Sequence, residues 1–104
     1  MARPPNASRQ THVLLGAMLE RPRAWRYGYE LSKATGLTSG TLYPLLMRLS
    51  DQGFLDSKWQ EPERAGRPPR HAYRLSVRGA ALAHATEETL VERSAVRRLV
   101  KGIA

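Results

Sequence analysis

Three observations predict a mainly α-helical domain with a small β-hairpin, arranged as a winged helix-turn-helix with a further C-terminal helix. First, Leu42, Leu45, Leu46 and Leu49 recur at i, i+3, i+4 and i+7, which puts them on one buried stripe of a helix that ends near Gly53. Second, a shorter helical segment over 27–35 is joined to that helix by Thr35-Gly36-Leu37-Thr38. A Gly-containing turn of that length connects the two helices of a helix-turn-helix, whose second helix enters the major groove of DNA. Third, Phe54–Gln60 and His71–Ser76 read as two short strands around a loop rich in Pro and Gly.

The composition narrows the class of function. A chain of 104 residues makes one domain with a small core and has no room for a two-lobed enzyme. Its net charge of +8 and pI near 10.8 favour polyanionic partners. Cysteine is absent, which removes disulfides, thiolate metal sites and cysteine catalysis. No apolar run approaches the roughly 18 residues of a membrane span. The start Met1-Ala2-Arg3-Pro4-Pro5-Asn6 leads into no signal-peptide core. The expectation is a soluble cytoplasmic protein, nucleoid-associated when bound to DNA, with no membrane role. The chain carries no nucleophile elbow, phosphate-binding loop or paired-carboxylate motif, and His12, His71 and His84 lack companions at metal-ligand spacing. Neither an enzyme nor a cofactor or metal site is expected.

Along the chain, residues 1–8 are too rich in Pro and polar groups to bury surface and read as a flexible arm. From Arg9 to about Glu20, the residues Val13, Leu14, Ala17 and Met18, with Leu15 and Leu19 beside them, form an apolar stripe wider than one contact needs. Part of it, represented by Val13 and Leu14, is expected to meet a second subunit. Pro22 ends this helix. Trp25 in the basic connection that follows reads as a core plug, with base stacking or a ligand pocket as alternatives. In the short second helix, Tyr29 or Gly28 is expected to face inward with Leu31 and Ala34.

The next helix, from about Ser39 to Gln52, carries Gly40, Pro44, Met47 and Asp51 opposite its leucines, flanked by Thr41 and Arg48 on one side and Tyr43 on the other. Small and hydroxyl-bearing residues near a helix start permit close approach to a surface full of hydrogen-bonding groups, and DNA is such a surface. Thr38 or Ser39 can cap the helix, Gly53 can end it in the left-handed conformation, and Pro44 should loosen its first turn. Beyond the first strand, Arg64, Arg67, Arg70, Arg74 and Arg78 occur with no acid among them, beside prolines that stiffen the loop. That pattern suits phosphate or minor-groove contacts, with Arg74 on a strand the expected exception. Ser76 to Gly79 can cap a last helix running to about Val100. Its apolar positions Leu82, Leu90, Val96 and Leu99 have no room for burial in so small a domain and are expected to pair two subunits.

Taken together, Tyr27-Gly28-Tyr29-Glu30-Leu31, Gly40-Thr41-Leu42-Tyr43-Pro44-Leu45-Leu46, Arg48-Leu49, Gly53-Phe54-Leu55, Trp59, Gly66-Arg67-Pro68-Pro69-Arg70 and Tyr73-Arg74-Leu75-Ser76 resemble the PadR family of bacterial transcription regulators over roughly residues 9–80. The resemblance implies a winged helix-turn-helix, a homodimer joined through its first and last helices, and repression of a nearby promoter. It also implies that Gly40–Pro44 lies at the major groove and Gly66–Pro68 forms the wing. One departure is Ser50, which stands where an acidic residue often follows the Arg-Leu pair, with Asp51 next. The chain resembles the short branch of the family, whose effectors do not carry over.

The resulting expectation has three parts: residues 1–8 as arm, 9–76 as DNA-binding domain, and 77–104 as dimerisation helix. Thr38, Ser39, Gly40, Thr41 and Tyr43 would contact bases or phosphates of a pseudo-palindromic operator in double-stranded DNA. Lys33 and Arg48 would hold phosphates, and Arg64, Arg67 and Arg70 the backbone or minor groove. A small hydrophobic effector could release the DNA from an apolar pocket at the dimer interface, lined by the first and last helices and reported by Trp25 or Trp59. The alternative is a nonspecific basic nucleic-acid-binding protein, although the chain lacks an aromatic stacking platform of the RNA-recognition kind.

Overall fold

The computed structural model describes residues 9–62 and 64–103; the expected arm over 1–8 lies outside the described residues. The elements run α1 (Arg9–Leu19), β1 (Arg26–Tyr27), α2 (Gly28–Thr35), α3 (Ser39–Asp51), β2 (Leu55–Gln60), β3 (Arg70–Leu75) and α4 (Val77–Ile103). This is the mainly helical winged helix-turn-helix read from the sequence, with one addition. The sheet has three antiparallel strands in the order β1-β3-β2 instead of two. The extra strand pairs Arg26 with Tyr73 and Tyr27 with Ala72. Two residues are too few to display an alternating pattern, so only the pairing reveals it.

The core is built from the leucines that the helical spacing marks. Leu42, Leu46 and Leu49 of α3 are fully enclosed and Leu45 nearly so, together with Leu14, Leu15 and Met18 of α1, Leu31 of α2, and Leu55, Tyr73 and Leu75 of the sheet. Removing each such side chain from water contributes about 1.5–3 kcal/mol before entropy is counted. In α2 the inward position is Gly28, whereas Tyr29 and Ala34 are exposed. Arg26 is buried and neutralised. It pairs with Glu30 one helical turn on and donates from Nη1 to the Ala17 carbonyl at 3.2 Å, tying α1 to the start of α2.

Side chains that bond back to the backbone fix the α2–α3 turn. Thr35 Oγ1 donates to the Leu31 carbonyl at 2.7 Å and accepts from the Leu37 N–H at 3.1 Å, while Ser32 Oγ donates to the Leu37 carbonyl at 2.6 Å. Short hydroxyl side chains offer the backbone such alternatives to continued helix. The angle between the two helices is thereby set locally.

At its far end α3 stops in a Schellman arrangement. The N–H of Phe54 donates to the Leu49 carbonyl at 2.9 Å and that of Gly53 to the Ser50 carbonyl at 3.0 Å, with Gly53 at φ +83°. None of these bonds uses the Ser50 side chain, so the exchange of an acidic residue for Ser50 leaves the helix exit intact. Ser76 then binds the two helices together. Its Oγ donates to the Gly53 carbonyl at 2.7 Å and accepts from the Gly79 N–H at 3.0 Å, the N-cap expected of it. Its own N–H donates to the Phe54 carbonyl at 3.1 Å. Gly79 lies so close that an added Cβ would fall 1.7 Å from the Phe54 carbonyl oxygen.

α4 spans 27 residues, about 40 Å of helix, and gives the molecule its 63 Å long axis. Among its described side chains, those of the first turns join the core, through Ala83, with Ala80 and Leu82 partly covered and Thr86 buried beyond them.

The junction of α3 and α4 yields a stability prediction. Ser76→Ala should lower unfolding free energy by about 1 kcal/mol, the usual worth of an N-cap. Gly79→Ala should cost more, on the order of 2 kcal/mol or above, because backbone must move to admit one methyl. Urea unfolding midpoints check both; equal, negligible losses would mean that the junction carries little stability.

Candidate nucleic-acid interface

The outward face of α3 is the one its sequence predicts. Ser39, Gly40, Thr41, Tyr43, Pro44, Met47, Arg48 and Asp51 are exposed opposite the buried leucines. The side-chain cap expected from Thr38 or Ser39 does not form. Thr38 occupies the N-cap position in an extended conformation, its carbonyl accepts from the Leu42 N–H at 2.8 Å, and its hydroxyl lies 3.4 Å from that of Thr41. The first backbone donors of α3 therefore lack a side-chain partner and point outward at the positive end of the helix dipole, where an anion is stabilised. Pro44 sits inside the helix and has no N–H for the Gly40 carbonyl, and the space around Gly40 is open. The helix continues through it.

Tyr43 is half exposed, and its ring leans on the start of α2. A Cβ on Gly28 would meet the Tyr43 hydroxyl at 2.3 Å and the ring carbons at 2.6–2.8 Å. Beneath it, burial of Tyr73 raises the pKa of that phenol above its ordinary value, and the neighbouring Tyr43 raises it further. Next to Gly28 in the chain, Tyr27 carries the Arg70 guanidinium over its ring at 3.9 Å. Adjacent residues thus hold the recognition helix on one side and the base of the wing on the other. Arg64, Arg67 and Arg70 are all exposed and, with Tyr27, Gln60 and Pro68, line a groove at the wing. Lys33 is exposed with its ammonium 4.7 Å above the Tyr29 ring, and Arg48 flanks a shallow groove with Gln10, Thr41 and Pro44.

Every residue singled out as a DNA contact is therefore on the surface, and Arg74 is the exception foreseen. It pairs with Asp56 at 3.3 Å and lies over the Trp25 ring at 4.3 Å. Arg78 donates to the Gln52 carbonyl at 3.3 Å and covers Phe54, so it braces the helix exit.

Four other expectations need correction. Leu14 cannot meet a second subunit, because it is completely enclosed by the core of its own chain; Val13 is the outward residue of that stripe. Leu82 packs partly against the same core. Trp25 is not a core plug: it lies half-buried with the cations of Lys58 and Arg74 over its ring. Trp59 is 68% exposed on the sheet and lines no described cavity between α1 and α4. Val96 and Leu99 are exposed as anticipated, whereas the side chain of Leu90 lies outside the described residues. No described helix is long and apolar enough to cross a membrane.

Comparison with known proteins agrees with this geometry. A PadR family regulator from Eggerthella lenta is 31% identical with a TM-score of 0.69, over 88% of this chain and 84% of that one. A PadR-like transcription factor from Bacteroides fragilis is 26% identical with a TM-score of 0.64, over 92% and 93% of the two chains. The DNA-binding protein Sso10a-2 of Sulfolobus solfataricus shares the fold at 17% identity and a TM-score of 0.71, over 89% and 90%. No curated protein matches the chain. The model of the transcriptional regulator PadR-like family matches residues 14–85, more than half of the sequence, and the chain belongs to that family of DNA-binding, non-enzymatic transcription regulators.

Proposed function

We propose that the protein is a homodimeric repressor of a nearby promoter that reads a pseudo-palindromic operator through paired α3 helices. The observation that carries this reading is the coupling of α3 and the wing through Tyr27 and Gly28, which presents Thr41 and Tyr43 together with Arg64, Arg67 and Arg70. Thr38, Ser39 and Gly40 approach the groove edge, Thr41 and Tyr43 meet bases or phosphates, and Lys33, Arg48 and the wing arginines hold the backbone or minor groove. Two-fold symmetry places the half-sites about 34–36 Å apart, or a multiple of it.

The dimer rests on α4. Past Thr86 its described side chains are exposed, including Val96 and Leu99 at 58% and 65%. A helix of several turns whose described side chains lie exposed is marginal in water, which supports a second copy as its cover. Residues 9–76 then serve as the DNA-binding unit and 77–104 as the pairing helix. An effector has room in the open cleft of about 480 Å³ between α1 and α4, where Val13, Gly16 and Ala17 stand beside Arg9, His12, Glu20 and Glu87, a lining that suits a ligand with both apolar and polar groups.

Two sets of variants test the reading. By fluorescence anisotropy, Thr41→Ala should weaken binding to the protein's own upstream duplex by roughly tenfold, about one base contact, and leave a shuffled duplex nearly unaffected. Arg67→Ala should weaken both duplexes and flatten the salt dependence by about 0.9 in slope. Equal losses on both duplexes for Thr41→Ala would contradict base readout. For the dimer, light scattering should give twice the chain mass for the wild type and the single-chain mass for Val96→Glu with Leu99→Glu; a wild-type monomer would refute the pairing.

A further inference from the structure

On the face of the sheet that packs under the helices, Leu55 pairs with Leu75, Ser57 with Tyr73, and Trp59 with His71. Opposite residues of an antiparallel pair share a face, so Trp59 and His71 continue the core face outward beyond the last buried side chain. The Trp59 ring stacks on His71 with centroids 4.6 Å apart and planes 13° from parallel. His71 in turn leans on Tyr73 at 4.5 Å, and its Nδ1 shares a 2.9 Å hydrogen bond with the Tyr73 hydroxyl. Tyr73 is buried in the core. An aromatic ladder therefore runs from the buried Tyr73 along the sheet toward the wing and ends in an exposed indole.

We infer that Trp59 is a DNA-contacting residue, its indole packing on the deoxyribose and backbone edge of duplex DNA between the groove occupied by α3 and the strand held by the wing. This rests on the DNA-binding reading above. Large exposed apolar rings are unfavourable in water, and this one is immobilised in advance by His71 and Tyr73, which lowers the entropy lost on binding. Its surroundings select the partner: the strand that carries Trp59 leads through Gln60 and Glu61 into the loop of Arg64 and Arg67, both exposed and positively charged, and Arg70 opens the returning strand on the other face of the sheet. That neighbourhood attracts a polyanion with apolar sugar faces and repels a basic one. Trp59 then supplies affinity that does not depend on counterion release, complementing the arginines, whose contribution does.

The test uses the full chain with Trp25→Phe, which keeps an aromatic ring beneath Lys58 and Arg74 and leaves Trp59 as the sole tryptophan. Acrylamide quenching of its fluorescence is measured free and with duplex at saturation, confirmed by anisotropy. The upstream and shuffled duplexes are both used at low salt, since a sugar contact needs no particular sequence. Quenching should fall severalfold on both duplexes. Saturated DNA with unchanged quenching overturns the inference while leaving base readout by α3 standing, and so does an indole already shielded before DNA is added. As a second readout, Trp59→Ala should weaken binding about tenfold with the salt slope unchanged, and Trp59→Phe should restore most of it. Wild-type affinity for Trp59→Ala, or a slope that falls as it does for Arg67→Ala, overturns it equally.

Discussion

The packing of Tyr43 against Gly28 is the constraint on which the rest of the interface depends. The phenol ring occupies the volume that any side chain at Gly28 would fill, so the recognition helix can lie this close to the start of α2 only because that position has no Cβ. The residue before Gly28, Tyr27, ends the short β1 strand and carries the Arg70 stack, and so orients the wing. Closing the gap from the other side, Ser76 and Gly79 clamp the exit of α3 to the root of α4. Movement of α4 would therefore reach α3 through backbone contacts, without a flexible hinge between them.

The interface divides its labour by chemistry. The start of α3 offers backbone donors, hydroxyls and open space around Gly40, which suit close approach to base edges. The wing offers charge. Arginines that would have confused this division are withdrawn from it: Arg26 is buried against Glu30, Arg74 is paired with Asp56, and Arg78 braces the helix exit. The net charge of +8 therefore says little about which of the 17 Lys and Arg residues face DNA, and their distribution matters more than their sum.

Much of the fold was legible because its signals are periodic. The Leu42–Leu49 stripe, the Gly-containing turn and the Ser76 cap each mark an element from a few residues, and each element is present where they place it. The outward positions on α3 were legible for a related reason, since residues opposite a buried stripe must face outward. What the sequence withheld depends on tertiary neighbours. Periodicity gives Leu14 and Val13 to the same broad stripe, and only the packed core shows that one is enclosed and the other exposed. A tryptophan carries no mark of which side of a strand it occupies. The register places Trp59 on the helix-facing side with His71, and the cations of Lys58 and Arg74 claim Trp25. The two-residue β1 strand has no sequence pattern at all.

The central claim is that α3 reads base sequence, and the most direct measurement is a comparison of wild-type affinities. Fluorescence anisotropy with the upstream duplex and a shuffled duplex of equal length, repeated across salt concentrations, separates readout from charge. The account predicts that the upstream duplex binds at least roughly a hundredfold tighter and keeps part of that margin at physiological salt. Equal affinities that fall together as salt rises would contradict it at that promoter and favour a nonspecific basic nucleic-acid-binding protein.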